Sequence, residues 1–461
     1  MTVDPRPTDD VLTRIVKAYD IRGLVDTELG APVVEALGAA IADELVEPGG
    51  ALIVGRDMRP SSPRIAAQLS DAARARGVDV IDIGLASTDQ VTFASGELDA
   101  ASVMITASHN PASFNGIKLT RAGAVPVSLD TGLSAVRERA AARLRGAPVQ
   151  DTARRGTFEQ RDLTTSFVAH VRSFADVTGP RAARVAVDAG NGMAGHLWPR
   201  VADGLSIETT PLYFELDGTF PNHPANPLVA ANLVDLQRVV REQQLDLGLA
   251  FDGDADRVFA VDERARAVSS SVIGALIAER LLAREPGASV LYNVICSRVV
   301  PETIEAAGGV AIRTRVGHSL IKAEMARTNA IFAVEHSGHF YFRDNHRADS
   351  GMIAALVLLE AVAGAGQPLS TVLAPYDRYV GSGEHSLRVD DVPAVLDRVE
   401  RAFAGRGSID TMDGLSVVLT GGSWFNLRAS NTEPMLRCNV EAADERTMVD
   451  LRDEVLALLA D

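Results

Sequence analysis

A repeated alternation of short β-branched runs with helical stretches is the feature that most constrains what this chain can fold into. The strand-like runs form three groups along the sequence: 51–55, 78–84 and 102–106; 183–188, 245–252 and 258–262; and 288–294, 310–315 and 330–335. Within the first group, Pro63 begins a helix-like stretch that continues through Ala75. Such alternation is typical of α/β layers, and it predicts three α/β units of similar size.

The last part of the chain has a different order of elements. The expected elements are a strand at 385–389, an amphipathic helix at 391–404, strands at 415–421, 423–430 and 435–442, and a closing helix at 444–459. This order predicts a small α+β domain. With linkers expected near 145–157 and 364–368, we predict four domains, at 1–155, 156–261, 262–376 and 377–461.

The charge balance and the cysteine count exclude several classes of protein. Acidic residues number 61 and basic residues 45, a formal net charge of −16, which disfavours nucleic-acid partners because they require a basic surface. No apolar run approaches the roughly 20 residues of a membrane span, so we expect no membrane partner. The acidic, polar N-terminus is unlike a signal peptide, and Cys296 and Cys438 are too few for a disulfide framework, so we expect a cytoplasmic protein.

Three carboxylates at alternating positions follow the strand-like run at 245–252. They are Asp252, Asp254 and Asp256, and Arg257 comes directly after them. Carboxylates packed this tightly repel one another unless a cation lies between them, and hard oxygen ligands favour Mg²⁺ or Ca²⁺. A calcium EF-hand is a poorer fit because its sixth position requires glycine and holds Arg257 here. The plainest alternative is a solvated acidic turn.

A serine lies at the end of another strand, in the segment Thr106-Ala-Ser108-His109-Asn110-Pro111. A serine at a strand end beside small residues is accessible enough to act as a nucleophile. Its sequence neighbour His109 does not by itself define a general base. Lys118, one of only three lysines in the chain, follows closely. The alternative is a turn held by local side-chain hydrogen bonds.

Two further loops carry groups that suit a phosphorylated sugar. Arg428, Ser430, Asn431 and Thr432 lie between two strands of the tail, where a guanidinium with hydroxyl and amide donors makes a phosphate clamp. The segment 335–339 alternates hydrogen-bonding side chains at a strand end and is suited to binding hydroxyl groups. An ordinary polar turn is the alternative for each loop.

One glycine pattern resembles a dinucleotide-binding motif. Gly190-Asn-Gly192-Met-Ala-Gly195 follows a strand-like run with the spacing of that motif. Pro199 lies where the following helix should run. We therefore favour a tight strand-to-helix turn over NAD binding.

Taken together and in this order, the four loops resemble those of the α-D-phosphohexomutase superfamily, in particular its bacterial phosphomannomutase/phosphoglucomutase branch. Further matching motifs are Tyr19-Asp20-Ile-Arg22-Gly23, Val54-Gly55-Arg56-Asp57, Asp217-Gly-Thr-Phe-Pro221 and Arg315-Val-Gly317-His318. The resemblance covers essentially the whole chain. It implies an α/β protein with three similar mixed-sheet domains and a small C-terminal α+β domain around a central cleft.

The resemblance also implies a reaction. Hexose 6-phosphate and hexose 1-phosphate, of mannose and also of glucose, would be interconverted through a phosphoserine at Ser108 and a hexose 1,6-bisphosphate, which would also serve as activator. Asp252, Asp254 and Asp256 would hold Mg²⁺ together with an oxygen of the phosphoserine. The four predicted domains would then carry the phosphoserine, the metal, the sugar and the phosphate-binding loops in turn.

Roles for other residues follow from the same resemblance. The expected substrate-binding residues are Tyr19, His318, Glu335, Ser337, Arg428, Ser430, Asn431 and Thr432. Arg257 would help to spread the developing charge. Lys118 is the first candidate for proton transfer, with a pKa lowered by Arg22, and His109, His318 and His339 are alternatives.

Two positions depart from the pattern of the branch. Ile295 stands where a lysine is common, and His336 stands where methionine or glutamine is expected. Phosphoglucosamine mutase is therefore the alternative within the fold. A non-catalytic sugar-phosphate or metal-binding homologue and a metal-dependent phosphatase are the alternatives of other kinds. The expected assembly is a monomer or a homodimer.

Overall fold

The computed structural model describes residues 9–147, 154–389, 391–429 and 435–460. The chain forms two compact units, one from Met1–Val268 with Ser337–Val372 and the other from Ser269–His336 with Leu373–Asp461. No helix within the described ranges is long and apolar enough to cross a membrane.

The first unit begins with a mixed sheet of seven strands in the order β1-β5-β4-β2-β3-β7, with β6 beside β5. The strands are β1 (Ile21–Leu24), β2 (Ala51–Arg56), β3 (Asp79–Leu85), β4 (Ala101–Ile105), β5 (Phe114–Arg121), β6 (Val125–Pro126) and β7 (Phe158–Gln160). The accompanying helices are α1 (Asp9–Ile15), α2 (Ala31–Leu45), α3 (Ser62–Ala75), α4 (Thr88–Glu97) and α5 (Leu133–Leu144). Strand β2 is parallel to β3 and β4, whereas β5 is antiparallel to β1 and β4. Buried Leu, Ile, Val and Ala from the sheet and from α2, α3 and α5 form one core.

A second mixed sheet of the same unit has the strand order β12-β11-β10-β8-β9. Its elements are α6 (Thr164–Arg172), β8 (Ala183–Asp188), α7 (Ala194–Ala202), β9 (Ile207–Leu212), α8 (Val234–Glu242), β10 (Leu247–Phe251), β11 (Val258–Asp262) and β12 (Ala267–Val268). Strand β10 is parallel to β8 and antiparallel to β11. Every residue of β10 and β11 is buried, so their connecting loop emerges from the core of the unit. The glycines after β8 form a turn into α7, as predicted, and Pro199 lies inside that helix.

The second unit begins with parallel strands. Its first elements are α9 (Ser270–Arg284), β13 (Ser289–Asn293), α10 (Val299–Ala306), β14 (Val310–Thr314), α11 (His318–Thr328) and β15 (Phe332–Val334). Strand β13 is parallel to both β14 and β15. The chain then returns to the first unit through β16 (Phe340–Phe342), β17 (Ala348–Asp349), α12 (Gly351–Ala365) and α13 (Leu369–Leu373), the last of which ends at the boundary between the units. Helix α12 is apolar on all sides and is buried through almost its whole length.

The tail of the second unit is an antiparallel sheet in the order β18-β22-β21-β20-β19, covered by two helices. Its elements are β18 (Val380–Arg388), α14 (Val392–Phe403), β19 (Gly407–Asp410), β20 (Leu415–Leu419), β21 (Trp424–Ala429), β22 (Met435–Ala442) and α15 (Glu445–Ala460). Short 3₁₀ turns at Ala122–Ala124, Leu129–Thr131 and Ala230–Leu233 complete the inventory. The predicted α/β layers followed by an α+β domain are confirmed, whereas the four domain boundaries stay a prediction.

Candidate functional site

The predicted nucleophile lies three residues beyond the end of β4. Ser108 is 4 % exposed, and its φ of +50° is in the left-handed region that serine rarely adopts. The Thr106 hydroxyl accepts a hydrogen bond from the Ser108 amide at 2.9 Å. In this conformation the Ser108 hydroxyl donates a hydrogen bond to Asp252 Oδ2 at 2.7 Å. The two loops that the sequence singled out are therefore in direct contact.

Arg59, a buried arginine that sequence reasoning did not identify, binds the backbone of the serine loop. The Arg59 guanidinium is 1 % exposed and pairs with Asp57 at 3.2 Å. It donates hydrogen bonds to four backbone carbonyls of the serine loop, those of Ser108, Asn110, Pro111 and Phe114, at 2.7–2.9 Å. Arg59 follows the motif at 54–57 by two residues, and that proximity was the available signal. The guanidinium fixes the backbone that carries the nucleophile.

The acidic loop connects β10 and β11. Asp252, Asp254 and Asp256 are at most 2 % exposed, and one oxygen of each lies within 4.8 Å of the others. Gly253 sits where the acidic loop meets the serine loop, because a Cβ at this position would lie 2.5 Å from the Ser108 carbonyl oxygen. Glycine is therefore needed here for close approach rather than for an unusual φ.

Two cations compensate the charge of the acidic loop. Lys118 Nζ, from β5, donates to Asp254 Oδ2 and to Asp256 Oδ2 at 2.7 Å each. The Arg257 side chain donates to Asp252 Oδ2 at 2.8 and 3.0 Å. Burial and Arg22 act to lower the pKa of Lys118, but the two carboxylates outweigh them and raise it above its ordinary value. The expectation of a lowered Lys118 pKa is wrong, because Arg22 acts more weakly than these two partners.

The donor set of the acidic loop fits a divalent cation. Asp254 Oδ1 and Asp256 Oδ1 are buried and have no hydrogen-bond partner among the described residues. Burial, partly offset by Arg257, raises the pKa of Asp252 to about 8, with repulsion from Asp256 and Asp254 adding to it. Buried carboxylate oxygens without a donor are destabilising unless a cation binds them. Oxygen ligands of this kind suit Mg²⁺ or Ca²⁺.

His109 is neutral in this environment. Burial, with Arg257 and Arg22 adding to it, lowers the pKa of His109 to about 2. His109 Nδ1 lies 3.1 Å from the Ser108 hydroxyl and 2.5 Å from Arg257 Nη2, which donates to it. His109 therefore contributes an acceptor atom rather than a positive charge.

Arg22 reaches the serine loop from β1. Its Nε donates to Asp20 at 2.7 Å, and its Nη1 donates to the Ala107 carbonyl and to the Asn110 side chain. Tyr19 is half-buried and precedes this segment directly. The predicted motif at 19–23 is thus anchored on the loop that carries the nucleophile.

The first unit also includes the end of the predicted sugar loop. Ser337 Oγ lies 2.8 Å from His339 Nδ1. The other ring nitrogen of His339 lies 3.8 Å from Asp256 Oδ1 and 3.9 Å from Asp349 Oδ2. Arg257 and His339 also form an isolated backbone bridge. The structure therefore brings His339 to the acidic loop.

Other predicted substrate residues lie in the second unit. Glu335 is 3 % exposed and accepts hydrogen bonds from Asn293 Nδ2 and from the Gly317 amide, both at 3.2 Å. His318 begins α11 directly after Gly317. Asn293 was missed by sequence reasoning, although it lies only two residues before Ile295. The Glu335 carboxylate is thus held by the end of β13 and by the turn that leads into α11, both in its own unit.

Arg428 lies on β21 of the same unit. It is buried, and its Nε has no hydrogen-bond partner among the described residues. Arg437 lies opposite Arg428 on the neighbouring strand β22, and it pairs with Glu384 at 3.1 Å. Ser430, Asn431 and Thr432 lie outside the described residues.

Family models cover nearly the whole chain. The four models of phosphoglucomutase/phosphomannomutase match residues 13–143 (alpha/beta/alpha domain I), 165–265 (domain II), 269–379 (domain III) and 384–458 (C-terminal domain). Matched domains in this order, together with the mixed sheets and the serine and acidic loops, define the class of protein. The chain belongs to the phosphoglucomutase/phosphomannomutase family.

Individual relatives agree with this assignment. The chain is 38 % identical over 447 residues to a protein of Xanthomonas campestris named as phosphohexose mutases, covering 96 % of this chain and 98 % of the relative. It is 37 % identical over 455 residues to a phosphomannomutase of Salmonella montevideo, with the same coverage of 96 % and 98 %. A crystal structure of a phosphoglucomutase/phosphomannomutase family protein from Burkholderia thailandensis superposes with a TM-score of 0.87 at 32 % identity, covering 97 % of each chain. The prediction of a phosphohexomutase, and therefore of an isomerase, is confirmed.

Proposed function

We propose that this phosphohexomutase interconverts the 6-phosphate and the 1-phosphate of mannose, and also those of glucose, with Ser108 as the phosphoryl carrier. The observation that carries the proposal is the contact between the Ser108 hydroxyl and Asp252 at 2.7 Å, inside a buried group of three carboxylates. The name of the Salmonella relative supports mannose, and the name of the Burkholderia protein includes both mannose and glucose.

The reaction would proceed in two phosphoryl transfers. A free hydroxyl of the bound hexose monophosphate attacks the phosphorus on Ser108, the Ser108 O–P bond breaks, and the hydroxyl loses its proton. The resulting hexose 1,6-bisphosphate turns end for end, and the Ser108 oxygen attacks its other phosphorus. The sugar O–P bond then breaks, and the sugar oxygen takes up the proton that the first hydroxyl lost. The bisphosphate is therefore both the intermediate and the expected activator. Burial of Ser108 protects the phosphoserine from water.

Asp252, Asp254 and Asp256 would hold Mg²⁺. When bound, the ion supplies positive charge that stabilises the transferring phosphoryl group. Arg257 supports the same charge from the protein side, because its Nη2 lies 3.3 Å from the Ser108 hydroxyl. Arg22 binds the backbone of the serine loop and adds a second guanidinium.

Proton transfer requires a group near the attacking hydroxyl. Lys118 stays our first candidate, and in this role a divalent cation on the Oδ1 atoms of Asp254 and Asp256 would offset the carboxylate charge that keeps its ammonium group protonated. His109 is a weaker alternative, because Arg257 already donates to its Nδ1 and burial lowers its pKa. His318 and His339 are the remaining alternatives.

The substrate contacts in the proposal come from several loops. Arg428 with Ser430, Asn431 and Thr432 would bind the phosphate that is not being transferred. Glu335 and Ser337 would bind ring hydroxyls, with Tyr19 and His318 as further contacts. The buried Nε of Arg428 without a partner among the described residues supports an anion at that position. The central cleft expected from the resemblance stays a prediction.

Cellular location and assembly complete the proposal. Cys296 and Cys438 are buried free thiols, which favours a reducing compartment, and we place the protein in the cytoplasm as a monomer or a homodimer.

The test is a rate comparison with matched serine variants. With Mg²⁺ and the hexose 1,6-bisphosphate supplied, wild type should convert mannose 1-phosphate fastest and glucose 1-phosphate more slowly. Ser108→Ala should lose at least about 10³-fold in kcat, because the nucleophile is absent. Ser102→Ala removes another buried hydroxyl, 2.6 Å from that of Thr120, and should leave kcat unchanged.

Four results would contradict the proposal. Near-normal turnover by Ser108→Ala would exclude the covalent role. Faster conversion of glucosamine phosphate than of either hexose phosphate would favour a phosphoglucosamine mutase. Stoichiometric release of inorganic phosphate would identify a phosphatase, and no turnover of any substrate by wild type would identify a non-catalytic homologue.

A further inference from the structure

Thr88 connects the first mixed sheet to the acidic loop. Its hydroxyl donates a hydrogen bond to Asp254 Oδ2 at 2.5 Å, and Lys118 Nζ donates to the same hydroxyl at 3.4 Å. The Thr88 amide also donates to the Asp254 backbone carbonyl at 3.1 Å. Thr88 therefore contacts both the backbone and the side chain of Asp254.

The segment around Thr88 is itself firmly held. Thr88 begins α4, and the next residue, Asp89, is fully buried. The Asp89 carboxylate accepts hydrogen bonds from the Ser87 hydroxyl and from the Gln90 amide. Its other oxygen accepts from the Ser350 hydroxyl, at the start of α12, at 2.6 Å. Because both ends of this connection are buried, the Thr88 hydroxyl has little freedom to move away from Asp254.

The two oxygens of Asp254 consequently have different environments. Oδ2 is engaged by the Thr88 hydroxyl and by Lys118 Nζ. Oδ1 is buried and has no hydrogen-bond partner among the described residues. A carboxylate whose one oxygen is fixed by donors has its other oxygen oriented for a cation. Lys118 is a flexible donor, whereas Thr88 is attached to a helix, so Thr88 is the more rigid of the two constraints.

We propose that Thr88 is a positioning residue that orients Asp254 Oδ1 towards the divalent cation. This inference rests on the proposed metal role of the three aspartates. Thr88 acts on the cation through Asp254, to which it is hydrogen-bonded at 2.5 Å, and its contact with Lys118 at 3.4 Å is the longer of the two. Loss of its hydroxyl frees the carboxylate to rotate and weakens cation binding.

The experiment measures metal affinity rather than turnover. Mn²⁺ is titrated into the full-length, unphosphorylated protein, and free Mn²⁺ is quantified by electron paramagnetic resonance. Thr88→Val keeps the shape and the backbone bond but removes the hydroxyl, and it should bind Mn²⁺ about ten-fold more weakly. Thr88→Ser keeps the hydroxyl and should bind within about two-fold of wild type. Thr88→Ala is measured in parallel, so the result does not depend on one variant folding.

Thr92→Val is the matched control. Thr92 lies one turn further along α4 and is buried, and its hydroxyl donates a hydrogen bond to the Thr88 carbonyl at 3.0 Å, with no bond to the acidic loop among the described residues. This variant should keep wild-type Mn²⁺ affinity. Wild-type affinity in Thr88→Val and Thr88→Ala would overturn the proposal, and so would an equal loss in Thr88→Ser or in Thr92→Val.

A further variant separates this inference from the proposed function. Asp254→Asn should lose most of the Mn²⁺ affinity. If it binds Mn²⁺ as wild type does, the proposed metal site is wrong. If Asp254→Asn loses binding while Thr88→Val keeps it, the metal site stands and the role of Thr88 is refuted.

Discussion

The acidic loop in the first unit and the β21 region in the second unit differ in how their cationic side chains are paired. In the first, Lys118 is bound by two carboxylates at 2.7 Å, and Arg257 is bound by a third at 2.8 Å. In the second, Arg428 is buried with an Nε that has no hydrogen-bond partner among the described residues. Buried ion pairs fix geometry, whereas an unused donor costs stability but stays available. The first region is thus held rigidly, and the second is suited to the anion that we propose as its ligand.

The largest expected effect concerns Arg59, which binds the serine loop beside the acidic loop, and it tests whether this arginine has a structural role. Arg59→Met should lower the free energy of unfolding by about 3–5 kcal/mol, because Asp57 would be left buried without its cation and four carbonyls would lose their donor. Urea unfolding followed by circular dichroism measures the change. Arg64→Met, on the exposed side of α3, should change it by at most about 0.5 kcal/mol. A loss below about 1 kcal/mol in Arg59→Met would break the comparison.

An intermediate effect is expected in the β21 region. Arg428→Met should raise KM for the hexose phosphate by about 10–100-fold, because hydrogen bonds to a charged group contribute about 1.5–3 kcal/mol each. The melting temperature should not fall, since no described partner of the Nε is lost. Arg437→Met removes a half-exposed ion pair with Glu384 and should change KM by less than about two-fold. Equal KM effects in the two variants would show that Arg428 does not bind substrate.

The smallest effect concerns the loop that carries Phe220 and His223. In this loop, the Phe220 ring lies 5.1 Å from the Arg59 guanidinium, and His223 Nε2 lies 3.0 Å from Asp188 Oδ2. Burial acts to lower the pKa of His223, but the hydrogen bond to Asp188 and the negative charge of that carboxylate, with smaller contributions from Pro224 and Asp235, together outweigh burial and raise the pKa.

The folded-state pKa of His223 exceeds its unfolded-state pKa. The contribution of the charged His223–Asp188 pair to the free energy of unfolding is therefore complete below the unfolded-state pKa and is lost as the pH rises through the folded-state pKa. The His223→Gln substitution should therefore lower the free energy of unfolding by about 1.5 kcal/mol at pH 5.5 and by less at pH 9. Urea unfolding at both pH values measures the difference. Asp188 should be kept in both proteins. A cost that is the same at both pH values would refute the charged pairing.

Patterns within single segments were enough to predict most of the architecture. The strand at 183–188 is found at Ala183–Asp188, and the closing helix at 444–459 is found at Glu445–Ala460. Strand β5 was not predicted, because Asn115-Gly116 near its start is typical of a turn. The strand-to-helix turn after β8 was predicted, and α7 forms around Pro199, which disfavours a helix locally, because Leu197, Trp198 and Val201 are buried. Tertiary burial outweighed local propensity there.

The site shows the same limit more sharply. The serine and the three aspartates were predicted because each lies in a compact motif. The environment of Lys118 was not, since its partner Asp254 is 136 residues away and only the fold places them together. Thr88 and Arg59 are single polar residues in ordinary surroundings, and their importance comes from contacts that no local pattern records.

The approach of Gly253 to the serine loop has a practical consequence for anyone who alters this enzyme. A methyl group would not fit between the two main chains, so the gap between nucleophile and carboxylates is set by main-chain contact rather than by the packing of exchangeable side chains. Randomising position 253 should return glycine alone. Attempts to tune that gap must therefore move a whole loop.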